Sequence, residues 1–246
     1  MTYHEIPTQH KRIQSPLDPR HQPNKSAMSN LKTLLLAGGQ SSRMGTPKHM
    51  LPLPSTGQPL YQHLIRIIHA SAPNTQTIYI SIAATSSQDS ALQSGVYSFP
   101  TGTREQNIGL VKIADDSTEE IGPAAGLLAA HRHDPDANWL VVACDFPLLE
   151  AGALQQLREA FEPPVTCFVN GEGFAEPLLA IWTPDALRKL AENVGAGRCG
   201  PSWTVKCLGG KGISPVEEVW VVNTNTPEEW EAVRERIKFC YEVEGV

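Results

Sequence analysis

Apolar positions along the chain fall into short runs and helical stripes that alternate. Residues 32–37 form an apolar run that stops at Gly38-Gly39, the pattern of a buried strand. Residues 59–72 place Leu60, Leu64, Ile67 and Ile68 at helical spacing. A β-branched strand follows at 77–83, then a polar stretch at 85–93 and a short strand at 110–114. A helix is predicted over 122–133, with Pro123 near its first position. Residues 139–144 are the most apolar strand, ended by Asp145 and Pro147. A helix over 150–161 precedes strands near 165–169 and 177–182. Helices over 184–193 and 227–239 bracket a glycine-rich stretch and a strand at 219–223. Residues 1–30 contain Pro7, Pro16, Pro19 and Pro23 without either rhythm, which predicts a disordered extension ahead of one domain over 31–246.

Strands alternating with helices in this way predict an α/β fold, three layers deep, with a mainly parallel sheet covered on both faces. Ligands of such sheets bind beyond the carboxyl ends of the strands. Three strand ends therefore matter most: 37–39, 144–145 and 222–223.

Composition narrows the partners. Lys plus Arg is 20 against 26 for Asp plus Glu, a formal charge of −6, which argues against a general nucleic-acid binder. No run of about 18 apolar residues exists to span a bilayer, so a soluble, mildly acidic globular protein is expected. The acids Glu217, Glu218, Glu228, Glu229, Glu231, Glu235, Glu242 and Glu244 read as a solvated C-terminal helix face. Cys144, Cys167, Cys199, Cys207 and Cys240 are odd in number and widely spaced, which suits free, buried thiols in a reducing compartment. The N-terminal stretch has no apolar segment of a secretory signal, and a cytoplasmic location is expected.

The first strand end carries the densest chemistry. Gly38 and Gly39 let backbone N–H groups approach anionic oxygens, and Arg43 and Lys48 add two cations suited to a polyphosphate. The loop is not a Walker A loop, since Thr46-Pro47 intervene between Gly45 and Lys48. It also lacks the G-x-G-x-x-G spacing, which weighs against a dinucleotide-dependent dehydrogenase.

The segment from Leu36 to Lys48 resembles the L-A-G-G-x-S-x-R-M-G-x-x-K signature of MobA-like nucleotidyltransferases, the family of molybdenum cofactor guanylyltransferases. The resemblance continues in order through the Pro-Leu-Tyr-Gln-His of 59–63, Asp116-Ser117, Gly122-Pro123-Ala124-Ala125-Gly126, Cys144-Asp145-Phe146-Pro147, Glu176-Pro177 and Asn223-Thr224-Asn225-Thr226-Pro227. It covers essentially residues 31–242.

The resemblance implies a Rossmann-like fold and Mg²⁺-dependent transfer of GMP from GTP to a molybdopterin-type acceptor, with release of pyrophosphate. It makes Arg43, Lys48 and Asp145 the catalytic set. The nucleotide would meet Leu36, Ala37, Gly38, Gly39, Lys48, Ser81, Asp116 and Asp145. The acceptor would meet Gly122, Pro123, Gly126, Arg198, Asn223 and Asn225, and Mg²⁺ would lie on Asp145 with Asn225. Read without the resemblance, helix capping is the lesser alternative for Asp145 and for Asn223-Thr224-Asn225, while Arg198 could equally be a surface loop arginine.

Gly38-Gly39, instead of the Ala-Gly of cytidylyltransferase relatives, tilts the choice toward GTP. The alternatives are a transferase using CTP or a sugar phosphate, and a nucleotide-binding regulator without turnover. Intact Lys48 and Asp145 argue against the regulator. Ser81 stands where the family often has Asn, and the acceptor half is expanded over 199–216. The Gly209-Gly210-Lys211-Gly212 cluster reads as a turn, because no strand-to-helix context surrounds it.

Overall fold

The computed structural model describes residues 30–38, 45–54, 56–82, 89–101, 103–114 and 121–244, with side chains in the last helix described as far as Ile237. The N-terminal extension expected over 1–30 lies outside these residues except for Asn30. An eight-stranded sheet has the order β3-β4-β2-β1-β5-β7-β6-β8. Its strands are β1 (Leu31–Leu36), β2 (Thr77–Ile82), β3 (Val96–Thr101), β4 (Arg104–Ala114), β5 (Asn138–Ala143), β6 (Val165–Val169), β7 (Ala175–Trp182) and β8 (Lys211–Ile213). The helices are α1 (Leu60–Ser71), α2 (Ser90–Ser94), α3 (Ala124–His133), α4 (Ala151–Glu159), α5 (Pro184–Gly195), α6 (Pro201–Cys207) and α7 (Pro227–Glu244).

Strands β4, β2, β1 and β5 are parallel, β7 is antiparallel to both β5 and β6, and β8 runs parallel to β6. Only β3 and β7 oppose the common direction. Helix α1 packs with α4, and α3 with α5. Central strands are apolar throughout because both faces are covered: Leu140, Val141 and Val142 of β5 are fully buried, as are Leu34 and Leu35 of β1.

The sheet edge follows a different rule. β3 alternates buried Tyr97 and Phe99 with exposed neighbours, and β4 begins at Arg104 with a largely exposed Arg-Glu-Gln-Asn stretch. A hairpin solvated on one face needs only that alternation, so β4 extends well ahead of the strand expected at 110–114, and β3 pairs with it. Within the polar stretch expected at 85–93, the Asp89 carboxylate caps the short α2 by accepting from the N–H groups of Ala91 and Leu92.

Two other expectations change. The apolar Val219-Trp220-Val221 run, expected as a strand, is a 3-10 turn (Glu218–Val221) that buries Trp220 and Val221. A short apolar run does not by itself separate strand from helix. The Gly209–Gly212 cluster leads into β8, where a Cβ on Gly212 would stand 2.7 Å from Val169 Cγ1. Glycine there allows the closest approach of edge strand to β6.

The reversal of β7 matters most for function. Its first residues lie at the same end of the sheet as the last residues of β1 and β5. The β5–β7 register pairs Val142 with Leu179, and three residues further along the same register stand Asp145 and Glu176. Pro177 has no N–H to give β6, and the β6–β7 ladder shifts register between Cys167 and Phe168 to pass it. The Trp182 indole N–H donates to the Pro177 carbonyl at 2.8 Å.

Candidate functional site

Beyond the carboxyl ends of β1 and β5 three separate chain segments are tied together. Cys144 N–H donates to the Leu36 carbonyl at 3.1 Å, which fixes the β5 exit against β1. Thr224 N–H donates to the Asp145 carbonyl at 2.9 Å and brings the Asn223–Asn225 segment to the same place. The segment is held from behind by a reciprocal cap on α7. Glu229 Oε2 accepts from Asn225 N–H at 2.6 Å and Thr226 N–H at 3.0 Å, while Thr226 Oγ1 accepts from Glu229 N–H at 3.2 Å.

Lys48 enters from the opposite side, in a 3-10 turn (Lys48–Met50) set by Pro47. Its ammonium donates to Asp145 Oδ1 at 2.8 Å and to Asn225 Oδ1 at 3.0 Å. The two charged side chains are 17% and 31% exposed, so water screens the pair less than a surface ion pair. Behind Lys48, His49 is buried against the edge of Tyr61, and desolvation lowers its pKa below the usual imidazole value; the Ala37 backbone and Asp89 oppose that shift. Burial first, and the Asp145 charge second, raise the Cys144 thiol, which keeps it an inert neutral group under the site; Cys167 is buried as expected, whereas Cys199 is only partly buried and Cys207, at the end of the short α6, is exposed.

A cleft of about 260 Å³ opens on the β7 side of Asp145. Pro123, Glu176, Ser202, Asn223 and Asn225 are among its walls. Glu176 was legible only as part of a motif; a lone acid ahead of an apolar strand has no spacing that marks it as a site residue. Its Oε1 accepts from Asn170 Nδ2 at 3.0 Å, and Asn223 Nδ2 lies 3.5 Å from Oε2. Burial raises the Glu176 pKa and the Asp145 charge adds to the rise, while Asn170 and Asn223 oppose it.

The expected site residues are only partly brought together. Lys48, Asp145 and Asn225 form one contact set, and Pro123 and Asn223 line the adjoining cleft. Leu36 and Ala37 are buried at the end of β1, where Ala37 N–H donates to the Ser81 carbonyl at 2.9 Å, and Gly38 is exposed just beyond. The Ser81 side chain is buried under α3. Gly126 packs at the same point: a Cβ there would stand 2.6 Å from Leu36 Cδ2 and 2.7 Å from Ser81 Oγ. The visible role of Gly126 is therefore close helix–sheet packing, whereas Gly122 is exposed ahead of α3. Arg198 is exposed, with its guanidinium 6.0 Å from the Trp203 ring centre, and is not among the cleft walls. Gly39, Arg43 and Asp116 lie outside the described residues.

An ammonium shared by a carboxylate and an amide oxygen, at the strand ends of a Rossmann-like sheet, marks an α/β protein whose charged groups gather where ligands of such sheets bind. The chain belongs to the MobA-like NTP transferase domain family, whose pattern matches residues 33–204. It is 33% identical over 203 residues to a molybdenum cofactor guanylyltransferase of Pseudomonas fluorescens, covering 79% of this chain and 89% of that protein. It is 28% identical over 200 residues to a molybdenum cofactor biosynthesis bifunctional protein of Synechocystis sp.; the match covers 80% of this chain but spans about half (52%) of that longer relative. Among solved structures, a nucleotidyl transferase from Methanothermobacter thermautotrophicus superposes with a TM-score of 0.65 at 18% identity, covering 86% of this chain and 99% of that one. That likeness is one of fold.

The chain thus carries a nucleotidyltransferase domain that uses nucleoside triphosphates. No helix among the described residues is long and apolar enough to cross a membrane.

Proposed function

We propose that this protein transfers GMP from GTP to a molybdopterin-type acceptor and releases pyrophosphate. The observation that carries the reading is the Lys48 ammonium held on Asp145 and Asn225 at the strand ends. A phosphate oxygen of the acceptor attacks the α-phosphorus of GTP. A new P–O–P linkage forms, the bond to the β-phosphate oxygen breaks, and pyrophosphate leaves in line. Such a reaction asks the protein mainly for positioning and charge neutralisation.

Lys48 and Arg43 meet the triphosphate as cations, with Gly38 and Gly39 giving backbone donors. Leu36, Ala37, Ser81 and Asp116 complete the nucleotide side. Pro123, Asn223 and Asn225 form the acceptor side, and Gly122 and Arg198 would join it from outside the cleft walls, whereas Gly126 packs against Leu36 and Ser81. The Asp145 carboxylate and the Asn225 amide oxygen are hard oxygen donors of the kind Mg²⁺ takes, and together with substrate phosphates they would hold it. Bound there, Mg²⁺ supplies Lewis-acid neutralisation of phosphate charge. The relatives that carry the guanylyltransferase name support GTP and the molybdopterin-type acceptor.

The test is pyrophosphate release with each of the four NTPs and Mg²⁺, with and without molybdopterin. Release is expected with GTP only when the acceptor is present. Release with CTP, or with a sugar phosphate in place of molybdopterin, rejects the assignment.

A further inference from the structure

Glu176 is a carboxylate that the fold does not need as a charge. Among the described residues it has no cationic partner, and its hydrogen-bond partners are the neutral amides of Asn170 and Asn223. A glutamine could accept from Asn170 equally well and would avoid the cost of a charge half-buried beside Asp145. The carboxylate also retains acceptor capacity, since its two oxygens offer about four lone-pair sites. It stands on the cleft wall with that capacity unspent.

A carboxylate repels phosphate, so the part of the acceptor that meets Glu176 is not its phosphate. A pair of adjacent N–H donors on a planar heterocycle matches the two oxygens of one carboxylate.

We infer that Glu176 is a specificity-determining residue for the acceptor: it accepts the adjacent ring N–H and exocyclic amine of an aminopyrimidinone edge, such as that of a pterin. The inference rests on the molybdopterin-type reading above and adds the recognition element. Asn170 and Asn223 hold the carboxylate in place, and Asp145 remains on the phosphate side.

The test uses the full chain and two probes that carry neither phosphate nor diol. These are 6-methylpterin and 6-methyllumazine, which has an oxo group in place of the exocyclic amine. Binding is followed by fluorescence quenching. The wild-type protein is expected to prefer the pterin by at least about tenfold, the scale of a hydrogen bond to a charged group, and Glu176→Gln to lose that preference. In turnover with GTP and molybdopterin, Glu176→Gln is expected to raise the acceptor KM about tenfold and leave the GTP KM and Tm near wild type.

A wild-type protein without the pterin preference overturns the inference, as does a Glu176→Gln variant that retains it. Binding of a sugar diol in a Glu176-dependent manner also overturns it. The wild-type comparison stands even if the variant does not fold. Pyrophosphate release with an unaltered Glu176→Gln variant removes the role of Glu176 and keeps the guanylyl-transfer reading. Glu176-dependent pterin preference without release from GTP does the reverse.

Discussion

The two sides of Asp145 carry opposite character. Toward β1 stands a cation, Lys48, in a turn that follows the glycine-rich segment. Toward β7 stand a carboxylate and two amides, Glu176, Asn223 and Asn225, around a cleft. A polyphosphate suits the first side and is repelled by the second. A neutral, donor-bearing ring edge suits the second and gains little from the first. On the proposed reading one sheet end would sort two substrates by charge, and the strand that reverses direction, β7, is what brings Glu176 to that end. A parallel strand in that position would have sent Glu176 to the far end of the sheet.

The strongest challenge to this division is removal of the shared pair. Lys48→Ala and Asp145→Ala are each expected to lower turnover by at least about a hundredfold, roughly 2.7 kcal/mol of transition-state stabilisation. Initial rates of pyrophosphate release measure the effect, and wild-type rates in either variant would end that residue's assignment. A companion measurement separates charge from chemistry. Lys48→Met takes the ammonium away from Asp145 and Asn225, so Mn²⁺ should bind the nucleotide-free variant more tightly than the wild type. Titration followed by electron paramagnetic resonance reads this without turnover, and unchanged or weaker binding contradicts the shared position.

A smaller effect is expected where α3 meets both sides. Gly126→Ala must displace Leu36 or Ser81, and destabilisation of about 1–3 kcal/mol is expected from overpacking. Thermal unfolding checks it, and an unchanged Tm would mean that the helix moves freely off the sheet. Smaller still, Thr226→Ala removes one half of the α7 cap at a cost of about 1 kcal/mol. Its acceptor KM should rise more than its GTP KM if that cap serves the acceptor side; equal changes would argue otherwise.

The mildest effect is one of pH, on the cation side. Burial holds the His49 pKa below its usual value, so the unfolded chain takes up a proton first as pH falls. The stability contributed by neutral His49 is present above about pH 6.5 and is lost as pH drops through that value toward the lowered one. His49→Gln should flatten the fall in Tm between pH 7 and pH 5, and an identical pH profile would show that His49 contributes none of it.

The proposed nucleotide side was the more legible in sequence. Its strands are buried on both faces and read as unbroken apolar runs, and the glycines and cations of 36–48 sit consecutively. Asp145 announces itself by ending β5. The proposed acceptor side is assembled from residues far apart, and its shape depends on a register shift beside Pro177 of β7, the short α6 and a 3-10 turn in place of a strand. None of these has a period. The β3–β4 hairpin escaped notice for a related reason, since an edge strand can be polar on alternate positions and still pair. Glu176 illustrates the limit: its meaning comes from standing beyond β5 in register with Asp145, which no linear spacing encodes.

The bond from Lys48 to Asn225 joins residues 177 positions apart. During synthesis the ribosome therefore releases the glycine-rich segment, β1 and β5 long before the asparagines and the start of α7 that close the seam. A product ending just ahead of residue 225 would keep Lys48, Asp145 and Glu176 but lose Asn225 and the α7 cap that holds its segment in place.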